Sequence, residues 1–167
     1  MPQCPPEPGQ CQSRRPIELW RGASLRPAAP RLRLGTWNVE GLSCGKLHQL
    51  QAAMQRRGLA VLCVQETHLA GASTYISDEG FLVILSGSRA ATAERSGVGF
   101  LVALWARHFV IGFVLHSARL ATLKLRTVGG KMAIVNAYAP HNGKPRDERV
   151  EFFTTLHRYT PRPPPTV

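Results

Sequence analysis

Two carboxylates at the ends of apolar segments are the side chains best placed to do chemistry. Residues 32–41 read LRLGTWNVEG and reach Glu40 directly after a strand-like run, and residues 61–68 read VLCVQETH and reach Glu66 in the same way. In an open α/β sheet, ligands bind in the crevice outside the carboxyl ends of the strands. Two carboxylates crowded together there repel each other unless a cation lies between them. We therefore expect a divalent-metal site containing Glu40 and Glu66.

A helix between the two segments would bring their ends together. Leu47, Leu50 and Met54 recur at helical spacing within residues 46–57, and Gly58 follows as a helix-terminating residue. The next run is almost entirely apolar, which is typical of a strand covered on both faces. The order of strand, helix and buried strand predicts a right-handed βαβ unit.

The rest of the folded region predicts a meander of strands and a final helix. Apolar or alternating runs lie at residues 81–85, 97–104, 109–115, 120–127 and 131–138, and Gly129-Gly130 predicts the last hairpin turn. Residues 146–159 predict an amphipathic helix, with Val150, Phe153 and His157 on one face. The fold class that follows is α/β, a mixed sheet with helices on one face.

The two ends of the chain differ from the middle. Residues 1–30 hold seven of the 13 prolines, and four more lie within residues 160–167. Proline-rich segments without apolar periodicity cannot bury enough surface to offset their ordering entropy. We expect a disordered Pro/Arg-rich extension over 1–30, one domain over 31–159 and a Pro-rich tail over 160–167.

Charge and cysteine usage favour an intracellular protein with a polyanionic partner. The 21 Lys and Arg residues against 10 Asp and Glu give a formal charge of +11. Nucleic acid attracts such a surface through counterion release, although a basic surface without a ligand is the alternative. The four cysteines have neither zinc-ligand spacing nor disulfide-scaffold density, which indicates a reducing compartment. We expect no membrane association, and a nuclear location if DNA is the partner.

Four segments together resemble the endonuclease/exonuclease/phosphatase superfamily. In chain order they are residues 36–41 (TWNVEG), 64–68 (VQETH), 96–100 (SGVGF) and 135–140 (VNAYAP). Residues 119–125 and 148–153 are similar to the apurinic/apyrimidinic-type endonuclease domain of non-LTR retrotransposons. The resemblance covers about residues 31–158. It implies the N-terminal part of a four-layer α/β sandwich, incomplete in this sequence.

The resemblance also implies roles for four residues. Glu66 matches the glutamate that binds the catalytic Mg²⁺, and Glu40 matches an often acidic position that supports the metal shell. Asn38 matches the asparagine that orients the metal-binding and phosphate groups. Tyr138 matches the tyrosine that contacts the scissile phosphate. Each also has a structural alternative: a loop cap for Glu66, an exposed carboxylate for Glu40, a turn amide for Asn38 and a buried hydroxyl for Tyr138.

The family's remaining catalytic groups have no match in this sequence. The pattern continues with a water-activating aspartate and a terminal histidine held by another aspartate, whereas no aspartate follows Asp147. We therefore expect a truncated Mg²⁺-dependent DNA endonuclease domain of retrotransposon type that is catalytically inactive or nearly so. A non-catalytic nucleic-acid-binding or interaction module, and a phosphoesterase for small phosphates, are the alternatives. The missing half would also leave one sheet face uncovered, open to a partner chain or to aggregation.

Overall fold

The computed structural model describes residues 31–88 and 96–160. The elements are β1 (Arg33–Asn38), α1 (Cys44–Arg57), β2 (Leu59–Gln65), β3 (Ala72–Ile76), β4 (Leu82–Ser86), β5 (Val98–Val102), a 3₁₀ helix (Leu104–Phe109), β6 (Val110–Ser117), β7 (Leu120–Thr127), β8 (Gly130–Ala137) and α2 (Arg146–Tyr159). The extension predicted over 1–30 lies outside the described residues, as does the predicted tail apart from residue 160. Within the described ranges, no helix is long and apolar enough to cross a membrane.

The α/β fold class is confirmed, and the βαβ unit forms as predicted. Five strands make a mixed sheet in the order β1-β2-β5-β4-β3, in which β1 and β2 are parallel and the other pairs are antiparallel. Helix α1, between β1 and β2, begins at Cys44, two residues before the predicted start. The Ser43 hydroxyl caps this helix by accepting a hydrogen bond from the Lys46 amide. Asn38 pairs with Gln65, so the carboxyl ends of β1 and β2 lie side by side.

The meander divides into two sheets instead of extending one. β6, β7 and β8 form a separate antiparallel sheet, reached from β5 through the 3₁₀ helix that turns the chain away from the first sheet. The hairpin at Gly129-Gly130 is confirmed, since Thr127 pairs with Gly130. Leu123 and Leu125 of β7 belong to the same buried core as β2 and β5. The two sheets therefore pack against one another.

This packing changes the expectation of an uncovered sheet face. The second sheet covers β2, whose five central residues are buried, so the middle of the first sheet is enclosed. In this sheet the exposed large apolar side chains lie on the two edge strands: Leu34 (46%) and Trp37 (57%) on β1, and Ile76 (40%) on β3. The exposed apolar side chains of the first sheet are thus at its edges.

Two further elements differ from the sequence-based expectation. β3 was not predicted, because its five residues, ASTYI, include only two large apolar side chains. α2 has the predicted bounds, but Phe152 is its buried side chain, while Val150 and Phe153 are more than half exposed. The face that carries Val150 and Phe153 is open.

Candidate functional site

The loops after β1 and β2 are joined by backbone hydrogen bonds. The amide of Val39 donates to the carbonyl of Gln65 at 2.9 Å, and the amide of Gly41 donates to the carbonyl of Glu66 at 2.7 Å. These bonds continue the parallel pairing beyond the strand ends. The positions that follow each strand are therefore fixed relative to one another.

A second set of bonds holds the Glu66 loop from the other side. The amide of Thr67 donates to the carbonyl of Gly97 at 3.2 Å, and the amide of His68 donates to the carbonyl of Ser96 at 3.0 Å. A side chain at position 97 would put its Cβ 2.1 Å from the Thr67 hydroxyl, and φ there is 124°. Glycine is thus required for the close approach of this loop to the start of β5.

Three residues other than glycine adopt a positive φ, which is unfavourable for them, in the loops after β1 and β2. Glu40, Glu66 and His68 have φ values of 47°, 54° and 57°, and they are the positive-φ residues other than glycine within the described ranges. Each such conformation costs on the order of 1–3 kcal/mol and persists where the surroundings fix it. Two of the three carry the predicted site carboxylates. Strain of this kind concentrates at functional sites.

Glu66 is the centre of the site. Its Oε1 accepts a 2.8 Å hydrogen bond from the Asn38 side-chain amide. Hydrogen bonds from the Tyr138 hydroxyl and the Asn38 amide, with a smaller contribution from His68, hold the pKa of Glu66 below its ordinary value. The His68 Nε2 lies 3.6 Å from Glu66 Oε2. The structure therefore brings Asn38 and Tyr138 onto Glu66 and keeps the carboxylate ionised.

Glu40 has a different environment. Its backbone amide donates to the Asn38 Oδ1 at 3.3 Å, and its carbonyl accepts from the Lys46 ammonium at 3.4 Å. Within residues 31–88 and 96–160, no three His, Cys, Asp or Glu side chains converge as a metal-binding group. The fold thus places the Glu40 backbone beside Asn38 and leaves its side chain exposed. Its role as a metal ligand stays a prediction.

A buried amide that the sequence analysis missed joins the two sheets below the site. Asn136, 2% exposed, accepts from the Gln65 side-chain amide at 2.7 Å. Its own amide donates to the carbonyls of Val64 and Gly99, at 3.0 and 2.8 Å. Because Asn136 lies two residues before Tyr138, the network fixes the end of β8 relative to the end of β2. The signal in the sequence was a polar residue sharing a strand face with Tyr138.

Arg119 is a second residue that the sequence analysis missed. Its guanidinium lies 5.2 Å from the centre of the Tyr138 ring, and Nη1 donates to the Tyr138 carbonyl at 3.5 Å. Glu66 raises the pKa of Tyr138 through its hydrogen bond and charge, and the Arg119 charge partly offsets that effect. The Tyr138 hydroxyl therefore stays protonated and is the donor in its hydrogen bond to Glu66. Arg119 also adds positive charge beside the site.

The site opens into a cleft of about 400 Å³ between β1, β2 and β8. Asn38, Gln65 and Tyr138 line it together with Cys63. Burial raises the pKa of the Cys63 thiol to about 11, so the thiol is protonated at neutral pH and is unsuited to metal binding or nucleophilic attack. Cys63 is the small buried residue that its strand position predicted. The polar side chains that line the cleft are the Thr36 hydroxyl, the Tyr138 phenol and the amides of Asn38, Gln65 and Asn136. The Glu66 carboxylate accepts hydrogen bonds from two of these lining residues, Asn38 and Tyr138.

Comparison with known proteins gives a weak similarity to one named protein. No protein-family model matches the chain. The chain is 24% identical over 149 residues to craniofacial development protein 2 of Bos taurus, and the aligned region covers 83% of this chain and 25% of that protein. It is 23% identical over 134 residues to craniofacial development protein 2 of Tragulus javanicus, covering 80% of this chain and 23% of that protein.

The chain thus spans about a quarter of the length of the curated relatives it matches. Craniofacial development protein 2 is related to the endonuclease/exonuclease/phosphatase superfamily, the group that the sequence motifs resemble. The comparisons show weak homology: this chain is similar, over four fifths of its length, to craniofacial development protein 2.

Proposed function

We propose that this chain carries one side of a Mg²⁺-dependent phosphodiester site of the endonuclease/exonuclease/phosphatase type, with nucleic acid as its ligand. The observation that carries the proposal is the Glu66 carboxylate. Its pKa lies below the ordinary value, it directly follows the end of β2, and it accepts hydrogen bonds from Asn38 and Tyr138, which line the cleft. These contacts orient its oxygens beside a cleft of about 400 Å³.

The donor set fits Mg²⁺ better than it fits other protein-bound metals. Mg²⁺ is held by one or two carboxylates, with water and substrate phosphate completing its shell. Glu66 supplies one oriented carboxylate, and the amide and phenol beside it are neutral groups suited to water or phosphate oxygens. A zinc site would need thiolate or imidazole ligands in tetrahedral number, which the described residues do not assemble. When bound, Mg²⁺ would neutralise phosphoryl charge and polarise the phosphorus centre.

The charge of the chain supports nucleic acid as the ligand class. The net charge is +11. Lys46 contacts the backbone just after β1, and Arg119 lies beside Tyr138 just after β8. A polyanion gains from many such charges at once, whereas a small phosphate contacts few of them. We therefore favour DNA or RNA over a nucleotide or lipid headgroup.

The residues that reach Glu66 favour binding over rapid hydrolysis. Asn38 fixes the carboxylate, and Tyr138 presents a hydroxyl that can donate to a phosphate oxygen in place of Glu66. In residues 31–88 and 96–160, the side chains that contact the Glu66 carboxylate are those of Asn38, Tyr138 and His68, and none of these is a second carboxylate that could activate water. Loss of a general base costs about 10²–10⁴-fold in rate. We propose that the described site binds a phosphodiester with Mg²⁺ and cleaves it slowly.

A metal-independent binding module is the second candidate. The exposed position of the Glu40 side chain favours it, because one carboxylate holds Mg²⁺ weakly. In that case the basic surface alone would bind nucleic acid. The two candidates differ in whether Glu66 and Mg²⁺ contribute to affinity.

One pair of assays separates the candidates. Binding of a fluorescein-labelled DNA oligonucleotide is measured with Mg²⁺ or EDTA for the chain, for Glu66→Gln and for the exposed control Glu151→Gln. Nicking of supercoiled plasmid is followed in parallel. We expect Mg²⁺ to tighten binding in the chain and in the control but not in Glu66→Gln, with nicking close to background. A DNA affinity that changes neither on addition of EDTA nor in Glu66→Gln supports the metal-independent binding module. Rapid nicking abolished by Glu66→Gln contradicts slow cleavage.

A further inference from the structure

A second cleft, of about 800 Å³, lies between α2 and the loop after β8. We call it the α2 groove and define its helix side by Arg146, Arg149, Val150, Phe153 and His157. Val150 is 54% exposed and Phe153 is 56% exposed. Such an apolar surface on an otherwise polar helix indicates a ligand or partner.

The charge of the α2 groove is positive. Its lining includes Arg146 and Arg149 and no carboxylate. The acidic residues of α2 lie elsewhere around the helix: Glu148 pairs with Lys144 at 3.5 Å, and Glu151 projects about 100° or more from the groove stripe at helical spacing. The groove side of the helix thus carries Arg146, Arg149 and Phe153, and none of the helix's acidic residues, Asp147, Glu148 and Glu151, lines the groove.

The α2 groove adjoins the cleft that Asn38 and Tyr138 line. Ala139 lines both, and it directly follows Tyr138 in the chain. A strand of nucleic acid with one phosphate beside Tyr138 would therefore reach the groove with its next nucleotides.

We propose that the α2 groove binds single-stranded nucleic acid leading away from the phosphodiester cleft. A base stacks on the exposed ring of Phe153, and Arg146 and Arg149 pair with backbone phosphates. Exposed aromatic rings between cationic side chains are the usual platform for unpaired bases. The two arginines without a carboxylate in the lining complement the phosphates of a nucleic acid backbone. The inference rests on the proposed function, whose site it extends.

The test compares single-stranded and duplex oligonucleotides of the same sequence, bound by the full chain in Mg²⁺. Phe153→Ala is expected to weaken single-strand binding at least about fivefold, the loss of one stacked base. Phe153→Tyr, which keeps the ring, restores it. Duplex binding changes less because its bases are already stacked. Arg146→Ala lowers the salt-dependence slope by about 1.

Matched controls lie elsewhere on the surface. Trp105→Ala removes an exposed aromatic ring outside the groove, and Arg158→Ala removes a charge from another side of α2. We expect both to stay within about twofold of the unmodified chain, as for surface changes away from the ligand. Thermal unfolding of each variant checks that the fold is intact.

Three outcomes would overturn the inference. Equal effects of Phe153→Ala and Trp105→Ala would show that the groove is not a specific path. Light scattering that finds a dimer dissociated by Phe153→Ala, with DNA binding unchanged, would assign the groove to a polypeptide partner. Binding that depends on Mg²⁺ and Glu66 but not on Phe153 would remove the groove and leave the proposed function. Absence of any DNA binding by the unmodified chain would instead overturn the proposed function itself.

Discussion

The side-chain amide of Asn38 donates a 2.8 Å hydrogen bond to the Glu66 carboxylate, across the one parallel strand pair of the described sheets. The two residues are 28 positions apart in sequence and meet because the α1 crossover returns the chain beside β1. A carboxylate oriented in this way binds a cation with less reorganisation than a mobile one. The bond therefore connects the topology of the fold to the proposed chemistry.

Asn38→Ala is expected to weaken Mg²⁺ binding about ten- to a hundredfold, the usual effect of removing a group that orients a metal ligand. Isothermal titration of Mg²⁺ into the chain measures this. Gln55→Ala, an exposed amide at the far end of α1, is the matched control and should leave the affinity unchanged. Equal affinities for Asn38→Ala and the control would contradict an orienting role.

Acid should remove a stabilising contribution from Glu66. Its pKa in the folded chain lies below the ordinary value because Tyr138 and Asn38 donate to the ionised form. A lowered folded-state pKa contributes stability above the unfolded-state pKa, and that stability is lost as pH falls through the folded-state value.

We therefore expect the difference in melting temperature between the chain and Glu66→Gln to be largest near neutral pH and to shrink below about pH 4. Thermal unfolding followed by circular dichroism across this range measures the difference. A gap that grows on acidification would contradict the assigned shift.

Asn136→Ala should lower the free energy of unfolding by about 2–3 kcal/mol, because it removes a buried donor from the carbonyls of Val64 and Gly99 and an acceptor from Gln65. Urea denaturation measures the loss. Asn142→Ala, an exposed amide of the same type, is the control and should change stability by less than about 0.5 kcal/mol. A loss below about 1 kcal/mol for Asn136→Ala would show that the cross-sheet network contributes little.

Gly97→Ala and Gly45→Ala form a contrasting pair. An alanine Cβ at position 97 meets the Thr67 hydroxyl at 2.1 Å with φ at 124°, whereas position 45 in α1 has nothing within 4 Å. We expect Gly97→Ala to destabilise the chain by about 1–3 kcal/mol and to weaken Mg²⁺ binding through the Glu66 loop. Gly45→Ala should raise stability by up to about 1 kcal/mol, as alanine favours helix. Similar melting temperatures for the two variants would contradict the close packing of this loop.

The part of the site formed by the ends of β1 and β2 could be predicted from the sequence, because local patterns determine it. Alternation, helix spacing and the terminating Gly58 define the βαβ unit, and that unit alone sets the ends of β1 and β2 side by side. The motif resemblance then selected Asn38, Glu66 and Tyr138, which the structure brings together.

The rest depends on information that a strand pattern does not contain. Alternation in β6–β8 predicts strands but not which sheet they join, so the second sheet was missed. Asn136 bonds to Gln65 across 71 residues, and this contact follows from the packing of the two sheets. Arg119 contacts Tyr138 across 19 residues, within the second sheet and at the open end of the β7–β8 hairpin. The exposure of Val150 and Phe153 on α2 could not be predicted either. Helical periodicity shows that a face is apolar, but it does not show whether another element covers that face.

The most direct test of the central claim is a Mg²⁺ titration followed by backbone and side-chain amide NMR shifts. We predict saturable shifts at the amides of Glu66 and His68 and at the Asn38 side-chain NH₂, all lost in Glu66→Gln. Shifts confined to exposed acidic residues such as Asp147 and Glu151, or shifts at Glu66 that survive its replacement by Gln, would contradict a Mg²⁺ site centred on Glu66.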